Sequence, residues 1–168
     1  MCGLIQCSTL QALPMSDEVD PLMRYREAME LGRFRRVTCE ADVPNSELLQ
    51  QAGLPTAIGD WFVASEVVGR HGHDAWLLGT SPHGVVLLRG DDGSVAHLTA
   101  ATDEATTING SLNAFLTFAA VWLEAAARGF TELDRSIARL QNVDPVALED
   151  PEGVWAVMFE EAEHGLFG

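Results

Sequence analysis

Three short apolar runs separated by turn residues occupy residues 75–98, and they constrain the fold more than any other feature. Ala75 to Leu78 reads as a strand, and Gly79-Thr80-Ser81-Pro82-His83-Gly84 reads as a turn-rich link. Val85 to Leu88 is apolar throughout, as expected of a strand covered on both faces. Asp91-Asp92-Gly93 marks a tight turn, because Asp and Gly tolerate the positive φ that hairpin turns need. Ser94 to Leu98 alternates, with Val95 and Leu98 inward. The segment predicts an antiparallel meander of at least three strands.

Helical periodicity flanks this block. Pro21 to Gly32 reads as a helix with Leu22, Met23, Met29 and Leu31 on one side and Gly32 as its C-cap. Phe34 to Cys39 reads as a short strand, and Arg33, Arg35 and Arg36 beside it read as a solvated flank paired with nearby acids. Asn45 or Ser46 is placed to cap a helix over Glu47 to Ala52 that Gly53 stops. Gly53-Leu54-Pro55 then predicts a turn. Ile58 to Val68, with Trp61, Phe62, Val63, Val67 and Val68, suits buried strands, and Gly69 to Asp74 reads as a polar loop. After the meander, Ser111 is a good N-cap for a helix over Leu112 to Arg128. Its apolar positions recur at three- and four-residue spacing and wrap wide, which predicts a central helix packed across the sheet. Glu124 and Arg128 stand four apart in the favourable order, and Gly129 ends the helix. Asp134 to Gln141 predicts a shorter helix. Asp150 is expected to cap a last helix with Pro151 at its first position. Trp155, Met158, Phe159 and Ala162 form its inner face, Gly165 closes it, and Glu160, Glu161 and Glu163 leave an acidic outer face. Strands grouped together between helices point to an α+β fold, a mixed and mostly antiparallel sheet packed by helices, and not to a doubly wound parallel sheet. No repeat or long linker divides the chain, so residues 1–168 read as a single domain.

Charge narrows the function. The 168-residue chain has 25 Asp plus Glu against 10 Lys plus Arg, a net charge of −15, and every one of its basic residues is Arg. Such a surface repels phosphate backbones and anionic membranes, so no nucleic-acid and no membrane partner is expected. The absence of Lys removes the phosphate-loop motif and any Schiff-base mechanism. No apolar run spans a bilayer, and the start Met1-Cys2-Gly3-Leu4 lacks a basic signal region. Cys2, Cys7 and Cys39 show no metal-binding or disulfide spacing, and Cys39 reads as a small core hydrophobe. A cytoplasmic protein with free thiols is the expectation.

No catalytic constellation stands out. There is no GxGxxG, no GxSxG elbow, and no Cys in a context matched to a His. His71-Gly72-His73-Asp74 is the best metal candidate, with His83 and His97 as conceivable additions, but it lies in a loop and lacks ligand spacing. Asp91-Asp92 and Asp103-Glu104 read as solvated turn formers before acid/base pairs. The tryptophans Trp61, Trp76, Trp122 and Trp155 fall on inward periods and read as core, since base stacking comes with a basic groove. Neither a metal nor any other cofactor is expected.

Several elements stand in an informative order: Gly53-Leu54-Pro55, Trp61-Phe62, Leu78-Gly79, the strand Gly84 to Leu88, and Asp92-Gly93-Ser94-Val95. Then come Asn109-Gly110-Ser111-Leu112-Asn113-Ala114-Phe115, Asp144-Pro145, Asp150-Pro151 and Trp155. Over residues 53–167 the chain resembles the SUKH superfamily, and specifically the SUKH-4 immunity proteins of bacterial polymorphic toxin systems. The Asn-x-Ser-Leu-x-x-Phe run before the main helix carries most of the likeness. Residues 1–40 match weakly, and the His71-Gly72-His73 loop looks like an elaboration.

The resemblance implies a SUKH-like α+β domain, no enzymatic activity, and a protein that binds and neutralises a cognate toxin. It transfers no site residues. A nucleic-acid-active toxin needs a cationic groove, which an acidic inhibitor can occupy by stoichiometric binding. The candidate contact residues are therefore Asp91, Asp92, Asp103, Glu104, Glu160, Glu161 and Glu163. The competing readings are a general SUKH adaptor or scaffold without a toxin partner, and a small hydrolase or metal enzyme using His71 and His73.

Overall fold

The computed structural model describes residue 31 and residues 33–167. The helix expected over Pro21 to Gly32, and with it Cys2 and Cys7, lies outside the described residues apart from Leu31, which is exposed. The central feature is a six-stranded sheet. In chain order its strands are β4 (Ala57–Ile58), β5 (Phe62–Ala64), β7 (Ala75–Ser81), β8 (Gly84–Arg89), β9 (Val95–Thr99) and β10 (Ala105–Asn109). They lie in the order β10-β9-β8-β7-β5-β4, every neighbouring pair antiparallel. Two small pairings flank it. β1 (Phe34–Arg35) runs antiparallel to β3 (Leu54–Pro55), and β2 (Thr38–Cys39) runs parallel to β6 (Val67–Val68). Five helices complete the described chain: α1 (Ser46–Ala52), α2 (Leu112–Ala127), α3 (Leu133–Gln141), α4 (Val146–Glu149) and α5 (Val154–Glu163). The architecture is α+β with a mostly antiparallel sheet, as the grouping of strands predicts.

The alternation of the strands gives the sheet an inner face. Ile58, Phe62, Ala64, Trp76, Val86, Leu88 and Val95 are all buried in one core with the α2 side chains. α2 is buried over most of its turn, including Leu112, Phe115, Leu116, Phe118, Ala119 and Trp122, so it is the central helix that its wide apolar wrap predicts. Ser111 caps it, its hydroxyl accepting from the Ala114 N–H at 3.1 Å. Arg128 closes an ion pair with Glu124 at 2.8 Å.

The structure corrects several boundaries. The link at Gly79 is strand: β7 continues through Ser81, and only Pro82-His83 turn. Gly79 is required there by packing, because a Cβ on it would sit inside the Phe62 ring and the Val63 carbonyl. Phe34 to Cys39 is two strands in two different pairings, since Arg36 and Val37 break the ladder. Leu54-Pro55 is not a turn but the partner of Phe34-Arg35; Pro55 is tolerated at the edge of a two-stranded pair. Asn45 occupies the cap position of α1 without a side-chain cap bond, in a left-handed conformation. Val63 and Val67 point outward, 53% and 48% exposed, although Phe62 and Val68 are fully buried. Leu98 is only half-buried. Asp150 and Pro151 do not start the last helix. They form a turn in which the Asp150 carboxylate accepts from the Glu152 N–H at 3.0 Å, and α5 begins after Gly153. β10 and α4 were not expected.

Because α2 carries the core, its cap and the close β5–β7 approach are the sensitive points. Gly79→Ala is expected to lower unfolding free energy by about 2 kcal/mol through overpacking. Ser111→Ala is expected to cost about 1 kcal/mol. Urea denaturation of both variants checks these values.

Candidate functional site

Three of the sequence elements singled out above meet in one buried hydrogen-bond chain. The Trp155 indole N–H donates to Asn109 Oδ1 at 2.8 Å. Asn109 Nδ2 donates to Asp144 Oδ2 at 3.1 Å, and the Gly110 N–H donates to the same oxygen at 2.8 Å. Asn109, Asp144 and Trp155 are all buried. The chain ties the end of β10 to the α3–α4 connection and to the first turn of α5. It has no nucleophile or proton-transfer group within it other than the carboxylate, and its role is to place α5.

α5 then exposes a second stripe. Trp155, Met158, Phe159 and Ala162 face the core, as predicted. Val154, Val157 and Glu161 are half-buried and, together with Met158, line an open cleft against the end of the sheet. Trp61 and Phe167 supply more of its apolar lining, Asp60 and Glu152 stand on it as exposed carboxylates, and the Pro82-His83 turn completes it. Trp61 is held from behind. Its ring stacks on Phe62 with centroids 6.0 Å apart and lies 6.3 Å from Trp155. Gly59 adopts φ +54, and a Cβ there would press on the Phe167 ring, so the turn before Trp61 needs glycine on both counts. Among the described residues, the cleft thus has an apolar lining, three carboxylates and no arginine.

The seven acids expected at a contact surface do not form one patch. Asp91 and Asp92 lie in the β8–β9 turn, while Asp103 and Glu104 lie between β9 and β10. Successive hairpins alternate ends, so these two pairs sit at opposite ends of the sheet. Asp103 and Glu104 share their end with the Pro82-His83 turn, where the Ala100 N–H donates to the His83 carbonyl at 2.9 Å. Asp91 pairs with Arg89 at 2.7 Å, and hydrogen bonding from Ser94 holds the Asp92 carboxyl below its ordinary range. Glu160 and Glu163 are exposed on α5, and Glu161 alone of the seven lines the cleft.

The histidines separate as well. Among the described residues no three His, Cys, Asp or Glu side chains are grouped to hold a metal ion. Among the described residues, His73 lends its backbone carbonyl, which accepts from Arg70 at 2.7 Å. Arg70 also pairs with Asp42, pushing that carboxyl down, and lies over the Trp76 ring at 5.4 Å. His97 is half-buried on the inner face, with Nε2 2.7 Å from Ser81 Oγ, and burial together with the neighbouring His83 lowers its pKa. Cys39 packs half-buried against the core, and burial pushes its thiol up, away from reactivity. Among the described residues no helix is long and apolar enough to cross a membrane.

Sequence reasoning missed Asp60, Glu152, Val154 and Val157 as site residues and read Trp61 as core. The available signal was the stripe Val154, Val157, Met158 and Glu161, at i, i+3, i+4 and i+7, offset by one residue from the stripe that faces the core.

These features define an α+β domain with a structural polar core and an open surface cleft. The chain belongs to the SUKH-4 immunity protein family, which matches it over residues 33–161. The match begins near the first described strand and ends inside α5, so it contains the Asn109–Asp144–Trp155 chain and every cleft residue except Phe167. Comparison with curated proteins and with solved structures finds no match.

Trp155→Phe removes the donor that, among the described residues, reaches Asn109 Oδ1. It is expected to cost about 1–3 kcal/mol, measured by urea denaturation, because the acceptor stays buried without a partner. His97 gives a pH signature. The unfolded side chain titrates near 6.5 and the folded one lower. Between the two values only the unfolded chain takes up the proton, so this contribution is complete above about pH 6.5 and is lost as pH falls. Stability measured at steps from pH 7.5 downward is expected to decline less in His97→Gln than in the parent.

Proposed function

We propose that the protein neutralises a cognate bacterial toxin by binding it one to one, without catalysis. Membership of the SUKH-4 immunity family carries this reading. In this reading the partner presents a cationic surface, as a toxin acting on nucleic acid would, and the protein competes for that surface with its acids. The contact residues are drawn from Asp91, Asp92, Asp103, Glu104, Glu160, Glu161 and Glu163. Their differing surroundings rank them. Asp91 and Asp92 are partly offset by Arg89, at 2.7 Å and 3.9 Å, whereas no ion pair within 4.0 Å engages Glu160, Glu161 or Glu163 among the described residues. The unoffset acids of α5 contribute more to steering than the β8–β9 turn. The protein works in the cytoplasm, where it meets toxin made by its own cell or delivered by a neighbour.

This reading predicts a toxin gene next to this one, and the test is co-expression with that toxin, followed by association kinetics on the purified pair. Co-expression is expected to restore growth, and the association rate is expected to fall about tenfold or more between low and high salt. A toxin that kills equally with and without the protein sinks the neutralisation reading. A salt-insensitive rate sinks its electrostatic part.

A further inference from the structure

We infer that the cleft between Trp61 and α5 is the seat for an arginine side chain of the partner protein, and this rests on the partner-binding reading above. The argument is one of complementarity. Asp60, Glu152 and Glu161 bring three carboxylates to the cleft from three separate points of the chain: the β4–β5 turn, the turn before α5, and α5 itself. Among the described residues no arginine pairs with any of them within 4.0 Å, although Asp42, Asp91, Glu66, Glu124 and Glu132 all have one. A purely apolar occupant would cover these carboxylates without compensating them, which is costly. A bare metal ion is also a poor fit, since the carboxylates are not grouped for coordination. A phosphate or nucleic acid is repelled.

The occupant must be cationic and must also cover apolar surface. An arginine meets both needs. Its stem covers Val154 and Val157, its planar guanidinium stacks on an indole such as Trp61, and its spread of donors can serve carboxylates on different walls. A lysine carries a compact, strongly hydrated charge and stacks less well. The indole is fixed in advance by Phe62 and Trp155, so little ordering is required on binding. The same pairing of arginine cation and aromatic ring occurs within this chain, where Arg70 lies over Trp76.

Two measurements test the seat. In the first, acetyl-Leu-Arg-Leu-amide and its citrulline counterpart are titrated into the protein. The indole N–H signals are followed by NMR, with Trp61 assigned from Trp61→Phe. The arginine peptide is expected to shift the Trp61 signal saturably, with the citrulline peptide about tenfold weaker. Glu161→Arg, a surface change that spares the core, is expected to abolish the shift. Equal shifts from both peptides, a shift unchanged by Glu161→Arg, or no shift at Trp61 overturns the proposal. In the second, binding to the cognate toxin identified by the co-expression test is measured. Glu161→Arg is expected to raise Kd about 30-fold or more, as loss of a central contact does. The double variant Gln50→Arg, Gln51→Arg places the same charge change on the exposed side of α1 and is expected to change Kd less than about threefold, as screened distant charges do. If the toxin binds the parent and Glu161→Arg equally well, the seat is wrong and the neutralisation reading stands. If the parent binds no toxin while the peptide titration succeeds, the reading falls and the seat stands.

Discussion

The Asp144 carboxylate belongs to a buried chain in which three parts of the sequence must meet, and the rest of the structure depends on how it is satisfied. A buried carboxylate needs hydrogen bonds, and it receives them from Asn109 and from the Gly110 backbone. Asn109 in turn uses its own oxygen to hold Trp155. Each group in this chain would be costly to bury alone, and together they satisfy one another. Their positions matter as much as their energy. Asn109 ends β10, two residues before the cap of α2; Asp144 precedes α4; Trp155 opens α5. The chain therefore sets the angle at which two helical segments return onto the sheet after α2 has crossed it.

That constraint produces the cleft. Once Trp155 is drawn inward, the neighbouring stripe of α5 must face the end of the sheet. Trp155 also forms part of the wall behind Trp61, together with Phe62, and reaches Phe115, Phe118 and Phe159 in the core. The surface feature is thus continuous with the interior: a change at Asn109 or Asp144 would move the cleft wall without touching the cleft. This is the general way that a rigid interior positions a recognition surface.

The α2 helix, its Ser111 cap, the Asp-Gly turn and the inner stripe of α5 were legible because each depends on local chemistry: periodicity, a capping hydroxyl, or a residue that tolerates positive φ. What was not legible depends on contacts distant in sequence. Gly79 looks like a turn residue but is glycine because Phe62 occupies the space. Leu54-Pro55 looks like a turn but is a strand because Phe34-Arg35 lies beside it. β10 was hidden because Ala105 to Thr107 are exposed at a sheet edge and show no hydrophobic alternation. Asp150-Pro151 resembles a helix start, yet α5 waits for Gly153. The cleft failed to appear for a related reason. Its carboxylates come from residues 60, 152 and 161, and runs of acids in the sequence drew attention to Asp91-Asp92 and Asp103-Glu104 instead.

The distinction between a run of acids and a set of unoffset acids also decides what the −15 charge can do. Net charge acts at a distance of about a Debye length, roughly 8 Å at physiological salt, and favours cationic partners without choosing among them. Choice requires charges whose hydration is given up on contact and replaced by one geometry. Asp91 beside Arg89 and Asp42 beside Arg70 already have intramolecular partners, so an incoming cation must compete with them. Asp60, Glu152 and Glu161 have none among the described residues, and they stand against an apolar lining that excludes water when it is covered. The overall acidity then brings a cationic protein near, while the few carboxylates around Trp61 determine which side chain of that protein is held.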